Sequence, residues 1–178
     1  MKLYGKSLSG QFEVIASDSV LGKGGEGSVF EVISHTSQNI MPASQIIAKI
    51  YHDRDDRTRG AKVASMVQNP PKDLNGIAWP LALRMYPDGA FAGYLMEKMD
   101  KSQWREWLVF SNAKDRKKTA PEFSVQYALT SSRNFIATLK NVHEAGHMLG
   151  DINESNILIS ATAGTTVIDT DSAQITRG

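Results

Sequence analysis

The chain has 178 residues, 41% of them hydrophobic and 22% charged, with a formal net charge of +1 and no cysteine. That length suits one domain or two small lobes. The balanced charge argues against bulk attraction to nucleic acid or to a membrane surface, and the lack of cysteine excludes disulfides and thiolate metal sites. No apolar run approaches the roughly 18 residues of a membrane span, and residues 1–10 lack an apolar signal core. A cytoplasmic protein with no nucleic-acid or membrane partner is the expectation.

In chain order, the first third reads as β-rich. Residues 12–21 form a candidate strand, 22–27 a glycine-rich break, and 28–33 and 45–51 are β-branched or apolar runs. Residues 52–60 are dense in charge, and 61–68 suit a short helix that Asn69, Pro70 and Pro71 stop, because proline cannot continue a helix. Residues 81–85 and 91–96 make two further strands around the turn Tyr86-Pro87-Asp88-Gly89-Ala90. Together these elements predict a five-stranded sheet lobe with one helix.

The second part changes character. Residues 104–110 suit a short helix, and 111–122 read as a charged, solvated loop. The clearest helix spans 124–145. Val125, Leu129, Ser132, Ile136, Leu139 and Val142 recur on one face, and Gly146 suits its end. Two short strands, 157–160 and 165–168, follow the polar stretch 149–156 and flank a turn.

Two features carry chemistry. Gly22, Gly24 and Gly27 spell G-x-G-x-x-G in Leu-Gly-Lys-Gly-Gly-Glu-Gly-Ser-Val. A dinucleotide fingerprint would open a helix there and place an acid about 20 residues on. Here strand-forming residues follow, and Lys49 stands where the acid is wanted. No Gly-Lys-Ser/Thr makes it a Walker loop. A glycine turn between strands suits backbone amides that cover phosphates, although a plain glycine hairpin has the same sequence. Lys49 lies in the otherwise apolar Ile46-Ile47-Ala48-Lys49-Ile50-Tyr51. A buried lysine there needs an anionic partner; nucleotide phosphates would supply one, whereas an edge lysine would simply face water.

The second feature is the spacing of Asp151, Asn156 and Asp169, the last two separated by a strand, a turn and a strand. This register, behind the glycine loop and Lys49, resembles the eukaryotic-like Ser/Thr protein kinases. The resemblance runs from about residue 12 to 171. Its closest match is a bacterial subgroup with a GGEG glycine loop, a GDxNxxN catalytic loop and Ile-Asp-Thr-Asp-Ser in place of D-F-G. It implies an α+β, bilobal protein-kinase-like fold, with an N-lobe and hinge over 1–99 and a partial C-lobe over 100–178. Implied cofactors are ATP and Mg²⁺. Asp151 would be the catalytic base, Lys49 would orient phosphates, and Asn156 and Asp169 would hold the metal. The nucleotide would meet Leu21, Gly22, Lys23, Gly24, Gly25, Glu26, Gly27, Val29, Ile47, Met96, Glu97, Met99 and Leu158. A protein substrate is implied, and the subgroup suggests a PP2C-type phosphatase or von Willebrand-type protein as partner.

The departures are specific. Leu149 and Gly150 replace His and Arg before the base, Asn153 replaces a lysine, and Thr170 and Asp171 replace Phe and Gly, so Asp171 could add a second carboxylate. No glutamate occurs between Lys49 and Gly76, which leaves Asp55 or Asp56 as a substitute for the usual helix partner of the lysine. The sequence ends where an activation segment would begin, so a fragment or minimal kinase is expected. Three alternatives stand beside it. One is a nucleotide-binding pseudokinase or regulatory module. The second is a small-molecule kinase of the aminoglycoside or choline type, to which Gly-Asp-Ile-Asn also conforms. The third is a zinc site, because His143-Glu144-Ala145-Gly146-His147 imitates H-E-x-x-H with Asn153 in third-ligand position.

Overall fold

The computed structural model describes residues 1–53, 56–100 and 102–176. The chain forms two compact units: Met1–Asn69 with Trp79–Lys98, and Pro70–Ala78 with Met99–Gly178.

In the first unit six antiparallel strands close into a barrel. They are β1 (Lys2–Ser7), β2 (Gly10–Lys23), β3 (Gly27–His35), β4 (Ile46–Tyr51), β5 (Ala82–Met85) and β6 (Phe91–Glu97), in the order β1-β2-β3-β4-β6-β5. The expected sheet had five strands; the sixth is β1. It pairs with β2 from Lys2↔Ile15 to Ser7↔Gly10 and with β5 from Tyr4↔Met85 to Lys6↔Leu83. Its two buried positions are Leu3 and Gly5, so it has almost no apolar alternation to read. The long-range pairing with β5 makes it a strand, and closure leaves the sheet without a free edge. Inside the barrel lie Leu3, Phe12, Val14, Val32, Ile46, Ala48, Ile50 and Leu95.

The helix of this unit, α1 (Arg57–Gln68), starts earlier than its apolar pattern suggests. Asp56 caps it, its carboxylate accepting from Arg59 N at 2.8 Å. Val63, Met66 and Val67 are buried, and the helix ends at Asn69, ahead of the two prolines.

The second unit holds a three-stranded sheet, β7 (Trp104–Glu106), β8 (Ile157–Ser160) and β9 (Thr165–Val167), in the order β7-β8-β9. Residues 70–78 join it through backbone bonds, Ala78 N to Val167 O at 2.8 Å and Val167 N to Gly76 O at 2.9 Å. The expected helix over 104–110 is instead β7 followed by the one-turn α2 (Leu108–Ser111). Trp104, Arg105 and Glu106 lie opposite Ser160, Ile159 and Leu158, and that pairing overrides a local pattern that suits either state. The expected loop over 111–122 contains α3 (Ala113–Thr119). Asn112 caps it by accepting from Lys114 N at 2.9 Å, and Arg116, Lys117 and Lys118 sit at its negative C-terminal end.

The long helix α4 (Val125–Glu144) forms where expected, capped by Ser124 Oγ on Tyr127 N at 3.1 Å. Its orientation differs from the sequence pattern. Val125, Leu129 and Ile136 are 77%, 62% and 62% exposed, whereas Tyr127, Ser131, Thr138 and Val142 are buried. Polar anchors select that face. Tyr127 Oη donates to Ser160 O at 2.7 Å, Asn134 Nδ2 donates to Ala163 O at 2.9 Å, and Asn141 bonds the carbonyl of Asp73.

One residue breaks the rule of the barrel. Arg84 of β5 is fully buried, with its cross-strand positions taken by Gly5 and Gly93, and none of its three nitrogens finds a hydrogen-bond acceptor among the described residues. Burial lowers its pKa to about 10, so it stays charged at neutral pH. That shift corresponds to a cost of about 3 kcal/mol for the charged form. Arg84→Met keeps most of the volume and removes the charge. It is expected to raise the free energy of unfolding by about 1–3 kcal/mol, read by chemical denaturation. Arg84→Lys is expected to bring no such gain.

Candidate functional site

In the first unit the glycine-rich segment is a hairpin tip. β2 ends at Lys23, β3 begins at Gly27, and Gly24 N donates to Gly27 O at 2.9 Å. No helix opens within the motif, which rules out the dinucleotide fingerprint. Residues 21–26 are exposed. Gly27 is required by packing, because a Cβ there would lie 2.6 Å from Ile50 O of β4.

Lys49 is central to β4, opposite Val29 on one side and Tyr94 on the other. It is only 7% exposed. Its Nζ lies 5.6 Å from the ring centroid of Tyr51 and 6.0 Å from that of Tyr94, so two aromatic faces help to offset the burial of its charge. Val29 and Ile47 pack against the buried cluster of Tyr51, Val63, Tyr94 and Met96. Leu21, by contrast, is exposed. Glu97, at the end of β6, is half-buried, and burial raises its carboxyl pKa.

The carboxylate of Asp56 caps α1 and lies 3.4 Å from Arg59 Nε. Asp55 lies outside the described residues. Sequence reasoning missed Tyr51 and Tyr94. Tyr51 was legible two positions after Lys49, on the same face of the strand; Tyr94 needed the strand register.

In the second unit the polar stretch after α4 is a knot of side-chain hydrogen bonds. Asn156 Nδ2 donates to Asp151 O at 3.1 Å and to Asp151 Oδ2 at 3.0 Å, and Asn153 Nδ2 donates to Asp151 Oδ1 at 3.0 Å. Asn153 Oδ1 accepts from Ser155 N and Asn156 N at 2.9 and 3.1 Å, which fixes the turn. Both Asp151 oxygens are thus held by amide donors in one geometry.

The segment after β9 closes onto this loop. Ile168 N donates to Asn156 O at 2.9 Å, and Asp151 N donates to Ser172 Oγ at 3.1 Å. Asp169 adopts a left-handed backbone (φ 57, ψ 48) and opens the single 3₁₀ turn Thr170–Ser172. Thr170 is anchored by its Oγ1 on Ala78 O at 2.9 Å, and Asp171 is buried. The fold of this unit therefore gathers Asp151, Asn156 and the segment bearing Asp169, with Leu158 buried in β8 and Met99 half-buried at the start of the unit. Ser172 is the contributor that sequence reasoning missed; as a lone serine after an acidic pair it carries no signal.

The donor set suits magnesium. Among the described residues no three His, Cys, Asp or Glu side chains gather as a metal cage. Mg²⁺ needs none, since it takes one or two carboxylates or amide oxygens and completes its shell with water and phosphate. Asn156 spends its NH₂ on Asp151 and retains Oδ1 as an acceptor. The zinc alternative fails on geometry. α4 stops at Glu144 and Gly146 has a φ of +81, so His143 and His147 do not share a helical face, and His147 is buried.

No protein-family model matches the sequence. Protein kinase YegI of Escherichia coli O157:H7 is 30% identical over 165 residues, 92% of this chain and 24% of that protein. Protein kinase YegI of Escherichia coli K12 is 29% identical over 177 residues, 98% and 26% respectively. The chain thus spans about a quarter of the length of these curated relatives. Among solved structures, the ROP18 kinase domain in complex with AMP-PNP and sucrose superposes with a TM-score of 0.64 at 17% identity, over 100% of this chain and 57% of that one. This chain has a protein-kinase-like fold. ROP2 from Toxoplasma gondii, described as having a protein-kinase fold and no enzymatic activity, superposes with a TM-score of 0.61 at 12% identity, over 98% of this chain and 55% of that one. Likeness at such identity carries the fold alone.

No helix among the described residues is long and apolar enough to cross a membrane. Gly150, before Asp151, tests the packing of the loop. A Cβ there would run into the backbone carbonyl of Ser172. Gly150→Ala is expected to destabilise the chain by about 1–3 kcal/mol in chemical denaturation, as overpacking against backbone does. Gly25→Ala, with nothing within 4 Å, is expected to change stability by less than about 1 kcal/mol.

Proposed function

We propose that this chain binds Mg-ATP and supports transfer of its terminal phosphoryl group to a serine or threonine hydroxyl of a protein. The observation that carries the reading is the double hydrogen bond from Asn156 to Asp151, which joins a candidate base to a candidate metal ligand in one rigid loop. Asp151 accepts the hydroxyl proton, its two oxygens oriented by Asn153 and Asn156. Asn156 Oδ1 and Asp169 hold the magnesium, with Asp171 as a further carboxylate. The bound metal neutralises charge that develops on the phosphate oxygens. Lys49 contacts the phosphates, and the amides of residues 22–27 cover them. Asn153, where a lysine is usual, offers the γ-phosphate no positive charge.

A second reading is nucleotide binding without transfer. It is favoured by Asn153, which stands where a lysine is usual and brings no positive charge to the phosphates. A ligand that binds only the folded state raises stability by about 2.7 kcal/mol at 100 times its Kd. Mg-ATP is expected to raise the melting temperature, and Asp169→Asn to abolish the magnesium-dependent part of the rise. No rise in the unmodified chain overturns the nucleotide assignment. Asp151→Asn is expected to leave nucleotide affinity within about threefold and to eliminate phosphoryl transfer to a generic Ser/Thr acceptor protein. Equal transfer by that variant removes Asp151 as base. Nucleotide binding without transfer by the unmodified chain selects the second reading.

A further inference from the structure

Glu26 is the one non-glycine residue at the tip of the glycine loop, between Gly25 and Gly27, and it is tied down twice. Its carbonyl accepts from His52 N at 3.0 Å, just beyond the end of β4. Its Oε1 accepts from Arg59 Nη2 at 3.0 Å, in the first turn of α1. The Arg59 guanidinium in turn lies 4.6 Å from the ring centroid of Tyr51, with its Nε 3.4 Å from Asp56 Oδ2. Tyr51 is also one of the two rings beside Lys49. A planar guanidinium can bond two carboxylates and stack on a ring at once, which a lysine cannot do. One side chain therefore joins the loop tip, the start of the helix and the strand that bears Lys49.

We propose that Arg59 is a positioning residue that holds the glycine loop in its phosphate-covering conformation through Glu26. A tip with glycines on both sides loses more conformational entropy on ordering than any other backbone, so a tether there shifts its population directly. The Arg59 side chain is 25% exposed and preorganised by Tyr51 and Asp56, while Glu26 is 63% exposed. The pair is consequently modest in strength and sensitive to salt. This proposal rests on the phosphate-binding reading of the loop. It adds that α1 acts on the phosphates through a basic residue that reaches the loop.

The test uses the full chain with Arg59→Gln, Glu26→Gln and the two changes combined. The cap of α1 survives the first change, because Asp56 bonds the Arg59 backbone amide. Each single variant is expected to weaken Mg-ATP binding about three- to fivefold while leaving adenosine, which lacks phosphates, unaffected. Amide exchange at residues 24–27 of the nucleotide-free chain is expected to quicken, without change in β4. The double variant is expected to lose no more than either single variant in both readouts. Unchanged exchange and ATP affinity in the single variants overturn the proposal, and so does an equal loss of ATP and adenosine. If the unmodified chain binds neither ligand, the phosphate reading falls; the exchange readout then still decides whether Arg59 tethers the loop.

Discussion

The first unit depends on one row of strand pairing. Gly22 lies opposite Val29, Val29 opposite Lys49, Lys49 opposite Tyr94 and Tyr94 opposite Leu83, so a single register crosses β2, β3, β4, β6 and β5. Side chains alternate faces with period two, so a slip of one residue would turn Lys49 into the barrel interior and Ile50 out of it. The row therefore sets the lysine, its two tyrosines and the root of the glycine loop together. Closure by β1 locks the row from the far side, since a strand bonded at both edges cannot shift against either neighbour alone.

The second unit reaches precision by another route. Its candidate site residues sit on irregular backbone, where ladder bonds cannot hold them, and side chains take over the task. Asn153 and Asn156 wrap Asp151, Ser172 pins its amide, and Thr170 anchors the following turn to Ala78. Asn, Ser and Thr suit this because their short side chains bond nearby backbone. The sheet beneath supplies the rigid base on which such a loop is useful. Arg84, fully buried without a hydrogen-bond acceptor among the described residues, is a cost in the first unit that no part of the proposed chemistry uses.

Most elements were legible because their signals are local. The turn chemistry of the glycine loop, the prolines after α1 and the Ser124 cap of α4 each act within a few residues, and the observed bounds follow them closely. The failures share a cause. β1 has one strong apolar position, β7 is three residues long, and α3 is a charged segment whose helix begins with a single asparagine. In each, the deciding interaction is long-range or rests on one capping bond, so periodicity had too little to count. On α4 the period was right and the face wrong. Val125, Leu129 and Ile136 stayed exposed, although Val142 of the same expected stripe is buried, while Tyr127, Asn134 and Asn141 turned inward to bond carbonyls.

The candidate site divides in the same way. The amino-acid sequence by itself determined the identity and spacing of Gly22, Gly24, Gly27, Lys49, Asp151, Asn156 and Asp169, since chemistry demands those residue types and a chain of fixed rise demands that order. Only the tertiary structure decided what surrounds them: Tyr94 beside Lys49, Arg59 on Glu26, Ser172 beneath Asp151, and the capping duty that engages Asp56. Those partners lie 21 to 45 residues from the groups they touch, apart from the local cap of Asp56. Register, helix placement and loop closure bring them together, and each of these is a property of packing over the whole unit that no local window of sequence contains.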